Sequence, residues 1–417
     1  MKKIIFILLI IIFLVGCSKM PKENEKEVFN FTNDIEKNAI VNSYTIYGRF
    51  FNIEGTIENI DNLKLVLKNN LNEIPYDVFT ENKDDQMEFK TSKLINEGIN
   101  LENIKEGSYI VLLKDNDNYY NLKNNTSYKD QYKDLDYYTI TRNNKNYEVK
   151  IEFLNIMEKE YLTLSVSEVK LPSDIYDIVI DPGHGGVDAG AINKSYTESK
   201  INLEYGLLLK KELENIGLKV KLTRESDVSI PNYGSEGRVS IPFKTKAKLL
   251  LSIHLNSANL KVGEGGIEVY VPNNAKTSFA KSIASNVVNS TSTIYSKNSS
   301  SRIDKGVYLR TLSKSDIESM KKDAFEDGYD PYEKANTKST YYYMIRETGG
   351  IITGAYIDKR NPKKDWNPYY MSNHGCESYL VELGYLSSST NLNILLNEKE
   401  KYVDAIVKSI KQELELE

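Results

Sequence analysis

Cysteine is scarce in this chain of 417 residues: only Cys17 and Cys376 occur, in such different sequence contexts that no structural disulfide is expected between them. Without such a framework the folded parts must rely on their own apolar cores. No Lys/Arg block long enough to track a phosphate backbone occurs, and 54 Lys and Arg stand against 59 Asp and Glu, a net charge of −5. This balance argues against nucleic acid as a partner, and against purely electrostatic adhesion to an anionic surface. Histidine is almost as rare, with three in the chain, so each position bears on the search for chemistry. No convincing internal repeat is present.

The apolar run Ile4 to Val15, preceded by Lys2 and Lys3, is too short for the roughly 20 residues that span a bilayer. It has the form of an export signal. Leu14-Val15-Gly16-Cys17 closes the run and resembles the lipobox of bacterial lipoproteins, in which the cysteine is lipidated and becomes the mature N-terminus. The resemblance implies residues 1–17 as a signal peptide and a lipid on Cys17 that anchors the protein, outside the cytoplasm, to the bacterial membrane. Two or more acyl chains suffice for stable attachment. The polar, charged residues that follow predict a solvated tether over 18–39.

The length exceeds that of one ordinary domain, and two folded units are expected. Between Ile40 and Val169 apolar residues recur with period two, as in Leu63-Leu65-Leu67, Tyr147-Val149-Ile151-Phe153 and Leu162-Leu164-Val166. That is the pattern of half-buried strands, and it predicts a β-rich, sandwich-like accessory domain over 40–170. Asn143-Asn144-Lys145-Asn146 is a hairpin turn candidate. Tyr119, Tyr120, Tyr137 and Tyr138 lie in this half; tyrosine can stack on sugars, but more commonly fills or edges a sheet.

Near Leu171-Pro172-Ser173-Asp174 the texture changes to strands interleaved with helical patterns, which predicts an α/β domain over 171–417, a mixed sheet flanked by helices. Ile178-Val179-Ile180 reads as a buried central strand. Ile201, Tyr205, Leu208, Leu209, Leu213 and Ile216 follow at helical spacing, with Gly217 placed as a C-terminal cap. Further strands are expected at 219–223, 249–253, 267–271 and 379–383, and helices at 277–288 and 398–414. Residues 313–375, rich in charge, Gly, Pro and Tyr, read as a long insertion.

Two of the three histidines end predicted strands. Asp181-Pro182-Gly183-His184-Gly185-Gly186 presents one on a glycine-rich turn, and Ser252-Ile253-His254-Leu255-Asn256 presents another. Open α/β sheets place their sites at such carboxyl ends. Glu198 opens a predicted helix and its carboxylate points to the same rim. Singly, a strand-end histidine is more commonly a core residue, and a first-turn glutamate more commonly serves the helix dipole. Together, two imidazoles and a carboxylate make a ligand set for one catalytic Zn²⁺ with a position left open. Glu382 interrupts the apolar strand Tyr379–Leu383, and a carboxylate there should face a site as general base, since burying it unpaired is costly.

The ordered set His184, Glu198, His254 and Glu382, in these motifs together with Val381-Glu382-Leu383-Gly384-Tyr385, resembles the zinc-dependent N-acetylmuramoyl-L-alanine amidases of the Amidase_3 family. Leu222-Thr223-Arg224 and Gly265-Gly266-Ile267-Glu268-Val269-Tyr270 add to the resemblance, which covers roughly residues 175–414. It implies zinc held by His184, Glu198 and His254, Glu382 as acid/base, and hydrolysis of the amide between the muramic acid lactyl group and L-alanine in peptidoglycan. Asp181 is a candidate to orient His184 through its other ring nitrogen, or else a cap on the turn; Asn256 is a candidate to bind substrate or support its loop. Arg238 stands where the family commonly has an arginine, but Pro242 obscures the local match, and it stays outside the catalytic set. The family often has Glu-Lys where this chain has Glu198-Ser199, and its members commonly lack the long insertion. Two other readings compete: a zinc peptidase cutting the stem peptide, and a non-catalytic peptidoglycan-binding lipoprotein on an amidase scaffold. Whether an activator protein is required is left open.

Overall fold

A computed structural model describes residues 29, 31–32, 35–126, 137–142, 145–232, 236–259, 264–326, 336–349 and 374–416. The leader, Cys17, most of the tether, the Asn143-Asn144 turn and much of the insertion lie outside the described residues. No described helix is long and apolar enough to cross a membrane.

The first half is built of β1 (Lys37–Tyr47), β2 (Phe50–Glu58), β3 (Lys64–Lys68), β4 (Glu73–Asp77), β5 (Phe79–Lys83), β6 (Gln86–Lys90), β7 (Ile99–Asn100), β8 (Gly107–Lys114), β9 (Tyr119–Asn124), β10 (Tyr137–Arg142), β11 (Lys145–Ile156) and β12 (Lys159–Val169). Hydrogen bonds join them in the order β10-β11-β12-β8-β9-β1-β2-β6-β5, with β3 and β7 branching from β8 and β2, and β4 pairing with β3. Three strands separate β11 from β1 in that order, yet Phe153 of β11 lies edge-on to Tyr44 of β1 with ring centroids 5.9 Å apart. The sheet therefore folds over on itself.

Period-two alternation explains the main core, where Leu65, Leu67, Val149, Ile151, Leu162 and Leu164 converge. Val66, between two core leucines, is buried as well, on the opposite face with Ile110, Leu112 and Tyr161. Tyr120 and Tyr138 are buried, their hydroxyls donating to Asp115 and Glu102. They fill the sheet and offer no platform for sugar.

The second half carries β13 (Ile178–Pro182), the short hairpin β14 (Ile192–Asn193) and β15 (Tyr196–Thr197), β16 (Val220–Leu222), β17 (Leu249–Asn256), β18 (Glu268–Tyr270), β19 (Arg302–Asp304), β20 (Val307–Tyr308), β21 (His374–Gly375) and β22 (Glu377–Tyr385). Seven of these form a mixed sheet, β16-β13-β17-β22-β18-β20-β19, in which β16, β13, β17 and β22 run parallel and β18 runs antiparallel to β22. The helices are α1 (Glu198–Asn215), α2 (Ser240–Lys244), α3 (Ser278–Ser290), α4 (Lys314–Glu326), α5 (Tyr343–Glu347), α6 (Ser389–Asn397) and α7 (Lys399–Glu413).

Strand parity then decides which side the site occupies. Ile178, Ile180, Leu249, Leu251, Ile253, Tyr379, Val381 and Leu383 bury against the long helices α1, α3 and α7. Their alternates Val179 and Leu250 pack with Met344 of α5, and Leu380 packs with Ile345. Because successive side chains point to opposite faces, Asp181, His254, Glu268 and Glu382 fall on this second, thinner side. The described part of the insertion covers that side.

The two halves meet at the root of β22. Strand β21 adds to β1 in parallel, pairing Ile46 with His374 and Tyr47 with Gly375. The Tyr47 hydroxyl accepts from the Ser378 amide at 3.1 Å, and Asn96 Nδ2 lies 3.1 Å from the Tyr379 hydroxyl and 3.3 Å from Glu377 Oε1. Arg49 pairs with Glu413 at the end of α7, and Lys248 with Glu102 at 3.0 Å. Cys376, between β21 and β22, is free and buried.

Candidate metal centre

His184 lies in the turn that follows β13, in the left-handed backbone region with φ of 61°, a conformation uncommon outside glycine that marks functional turns. The turn is held from beneath. Arg238 donates to the Pro182 and His184 carbonyls and to Asp181 Oδ1, while Arg224 donates to the Pro182, Gly183 and Ser199 carbonyls. Gly183 is needed for closeness: a Cβ there would stand 2.2 Å from Cε1 of His254.

Glu198 opens α1, where the helix N-terminus favours a carboxylate. Its Oε1 lies 3.1 Å from His184 Nε2 and 3.0 Å from His254 Nδ1, and also accepts the Leu255 amide at 3.0 Å. Oε2 accepts the Ala191 amide at 2.9 Å. The imidazoles stand edge to face with centroids 4.9 Å apart. One donor atom from each of the three residues lies within 4.8 Å of the others, a spacing and donor chemistry that suit a borderline-soft divalent cation. Burial pulls the His184 imidazole down, but Glu198 and Asp188 outweigh it and leave it raised to about 8. Burial pushes Glu198 up, and the two histidines override it, holding the carboxyl well below its usual range.

Glu382 joins them from β22. It is a direct register partner of His254 on one side and of Glu268 on the other. It is 7% exposed, and its Oε2 accepts no hydrogen bond. Burial first, then the negative charges of Glu198 and Glu268, push its carboxyl well above the usual range. A buried carboxyl oxygen left without a partner is costly and rare; here it marks a group held ready for a proton.

Asp181, a candidate either to orient His184 or to cap the turn, is not the partner of the imidazole. Its carboxylate accepts from Arg238, from Thr223 Oγ1 at 2.7 Å and from Ser252 Oγ at 2.8 Å, a buried brace under the turn. Asp188 holds the orienting place, with Oδ2 at 2.8 Å from His184 Nδ1. The reason is direction: Asp181 lies on the strand, pointing away from the imidazole, whereas the turn carries Asp188 back alongside it. Asn256 receives the Ser257 amide on Oδ1 at 2.8 Å and directs Nδ2 to Glu268 Oε2 at 3.2 Å, which makes it a loop support.

Glu268, Arg238 and Tyr342 also belong to this side of the sheet, and none of them carries a motif that gives it a role from sequence alone. Glu268 is fully buried and accepts from Asn256, Tyr270, Ser296 and Tyr385. The signal for it was available, since Glu268 interrupts an apolar strand as Glu382 does. Tyr342 comes from the insertion, and only the fold brings it here.

Residues 178–325 match the family model Amidase_3, described as N-acetylmuramoyl-L-alanine amidase. The match includes His184, Glu198 and His254; Glu382 lies beyond it, past the insertion. Among similar proteins, the germination-specific N-acetylmuramoyl-L-alanine amidase of Bacillus subtilis (strain 168) is 33% identical over 104 residues, 22% of this chain and 44% of that one. The N-acetylmuramoyl-L-alanine amidase AmiA of Escherichia coli (strain K12) is 35% identical over 106 residues, 25% of this chain and 36% of that one. The chain thus spans less than half the length of either relative. Among solved structures, the catalytic domain of CwlV, an N-acetylmuramoyl-L-alanine amidase of Bacillus (Paenibacillus) polymyxa var. colistinus, aligns over 58% of this chain and 100% of that one, at 21% identity and a TM-score of 0.39.

Proposed function

We propose that this chain, which carries an Amidase_3 domain, is a zinc-dependent amidase that hydrolyses the bond between the muramic acid lactyl group and L-alanine in peptidoglycan. The observation that supports it most is convergence: His184, Glu198 and His254, from three separate elements, meet on one rim, with the unsatisfied carboxyl oxygen of Glu382 in the adjacent strand register. An amide hydrolyses only when water is activated, the carbonyl polarised and the departing amine protonated. Zinc, held by His184, Glu198 and His254, supplies Lewis acidity toward water and carbonyl. The chain's own residues do the rest. Glu382 takes a proton from the attacking water and returns it to the alanine nitrogen as the carbon–nitrogen bond breaks. Asp188 fixes the His184 ring, and the amides of Leu255 and Ala191 fix Glu198.

In this reading residues 171–417 form the catalytic domain. The accessory domain expected over 40–170, seated on the root of the catalytic strand, already includes β1 from Lys37 and the buried Phe29 and Ile35. The tether expected over 18–39 to a lipid on Cys17 is therefore shorter than its composition suggested, because these apolar residues pack on the sheet. The leader and the Leu14-Val15-Gly16-Cys17 motif support the anchor; metabolic labelling with a palmitate analogue, lost in Cys17→Ala, tests it. Digestion of purified peptidoglycan with product masses tests the activity. A free lactyl carboxylate and an alanine amine are expected. An intact lactyl–alanine link with shortened stems would instead identify a peptidase, and binding without release would identify a non-catalytic scaffold.

A further inference from the structure

Past the ends of β17 and β22 lies a cavity of about 420 Å³ whose lining includes Asn256, Glu264, Lys297, Arg310, Tyr342 and Tyr385. Two of these are cationic and one is acidic. Arg310 follows β20, and its guanidinium lies 3.4 Å from the centroid of the Tyr341 ring; the Tyr341 amide donates to the Arg310 carbonyl at 2.8 Å. Among the described residues no carboxylate lies within ion-pair distance of that guanidinium. A stacked arginine is fixed in direction while its planar edge stays free to donate, which is the form that binds carboxylates two-pronged.

Asn256 and Tyr385 in the cavity lining both hydrogen-bond to Glu268, the register partner of Glu382, and Tyr342 forms part of the same wall. That residue packs against Tyr270 with ring centroids 4.6 Å apart, and burial followed by the nearby Glu382 pushes its phenol up to about 12. Tyr341 and Tyr342 both belong to the insertion, so the insertion builds the wall that orients Arg310.

We propose that this cavity seats the peptide side of the substrate, with Arg310, held by Tyr341, binding a free carboxylate on the stem residue that follows the L-alanine. The inference rests on the reading above for the position of the cut bond. It makes Arg310 a determinant of specificity for stems whose second residue is acidic, over stems in which that carboxyl is amidated. Asn256, tied to Glu268 and Ser257, serves as wall.

Titration of the full zinc-loaded protein with an L-alanyl-D-isoglutamyl peptide and with its α-amide tests this directly. The free acid should bind about tenfold or more tightly than the amide, the scale of one charge-assisted hydrogen-bonded pair. Arg310→Gln should erase that difference, Arg310→Lys should keep part of it, and Tyr341→Phe should leave it intact, with thermal melting confirming that each variant is folded. In digestion of muropeptides differing only at that carboxyl, Arg310→Gln should raise KM for the acidic form with little change in kcat. Equal binding of acid and amide by the wild type, or an undiminished preference in Arg310→Gln, overturns the proposal. Failure of the protein to cut either muropeptide at the lactyl–alanine bond overturns the amidase reading instead, and the binding titration still decides the role of Arg310.

Discussion

His254 and Glu382 are direct partners across the parallel pair β17 and β22, on the same face of the sheet. Strand spacing of about 4.8 Å sets their backbones side by side, so a candidate metal ligand and the proposed acid/base are fixed against each other by a ladder of main-chain hydrogen bonds. Glu382→Gln keeps the shape and removes the proton acceptor. Turnover should fall by about 10²- to 10⁴-fold, the usual contribution of a positioned acid/base, with bound zinc unchanged. Product release followed by mass, beside metal analysis of the same sample, checks both halves. Unchanged turnover would remove Glu382 from the mechanism.

Metal dependence should appear in stability as well as activity. Chelation should abolish cleavage and lower the thermal midpoint, because a cation bound only by the folded state stabilises it; added zinc should restore both. His184→Ala and His254→Ala should each lose the response to zinc. A midpoint indifferent to chelator would argue that no ion is held there.

Gly183 offers a test that touches no ligand. A Cβ at this position would lie 2.2 Å from the His254 ring, well inside van der Waals contact, so Gly183→Ala must push the imidazole aside. Zinc affinity and turnover should drop together while the far-ultraviolet circular dichroism stays that of the wild type. Full activity in this variant would mean that His254 sits elsewhere during catalysis.

The junction between the halves should be measurable through Arg49. It is buried, pairs with Glu413, and stands near the buried Glu377. Arg49→Ala leaves carboxylates without their counter-charge, and a loss of about 3 kcal/mol in unfolding free energy is expected. Denaturant titration of wild type and variant gives the difference. A change within a few tenths would show that the contact is not held in solution.

Acid should loosen the same junction through His374. Burial, with Lys246 adding to it, lowers this imidazole to about 3 from an ordinary value of 6.5. The unfolded chain therefore takes up a proton below about 6.5 that the folded chain refuses until about 3. The folded state loses stability as pH falls through that window and keeps it fully above. Melting midpoints from pH 7 to pH 4 should fall less steeply in His374→Gln than in the wild type, once each is referred to its own value at pH 7.

The chemistry was legible in the chain because its residues are rare or out of place. Two of three histidines end apolar strands, and Glu382 breaks another. Helix α1 and its Gly217 cap, and the strands through Ile178–Ile180 and Leu249–Ile253, follow from periodicity alone, since local patterning reports which face of an element is buried. Periodicity does not report pairing. The fold-over that brings Phe153 to Tyr44, and the parallel addition of β21 to β1, join segments far apart in sequence.

The same limit governs the site. Sequence determined that His184, Glu198, His254 and Glu382 were candidates, because donor chemistry and strand-end position are local properties. Only the tertiary structure decided that Asp188 rather than Asp181 meets the His184 ring, that Glu268 stands next to Glu382, and that Tyr341 and Tyr342 of the insertion reach the rim beside Arg310. Each is a question of side-chain direction and strand neighbourhood, which a chain acquires only when distant segments pack.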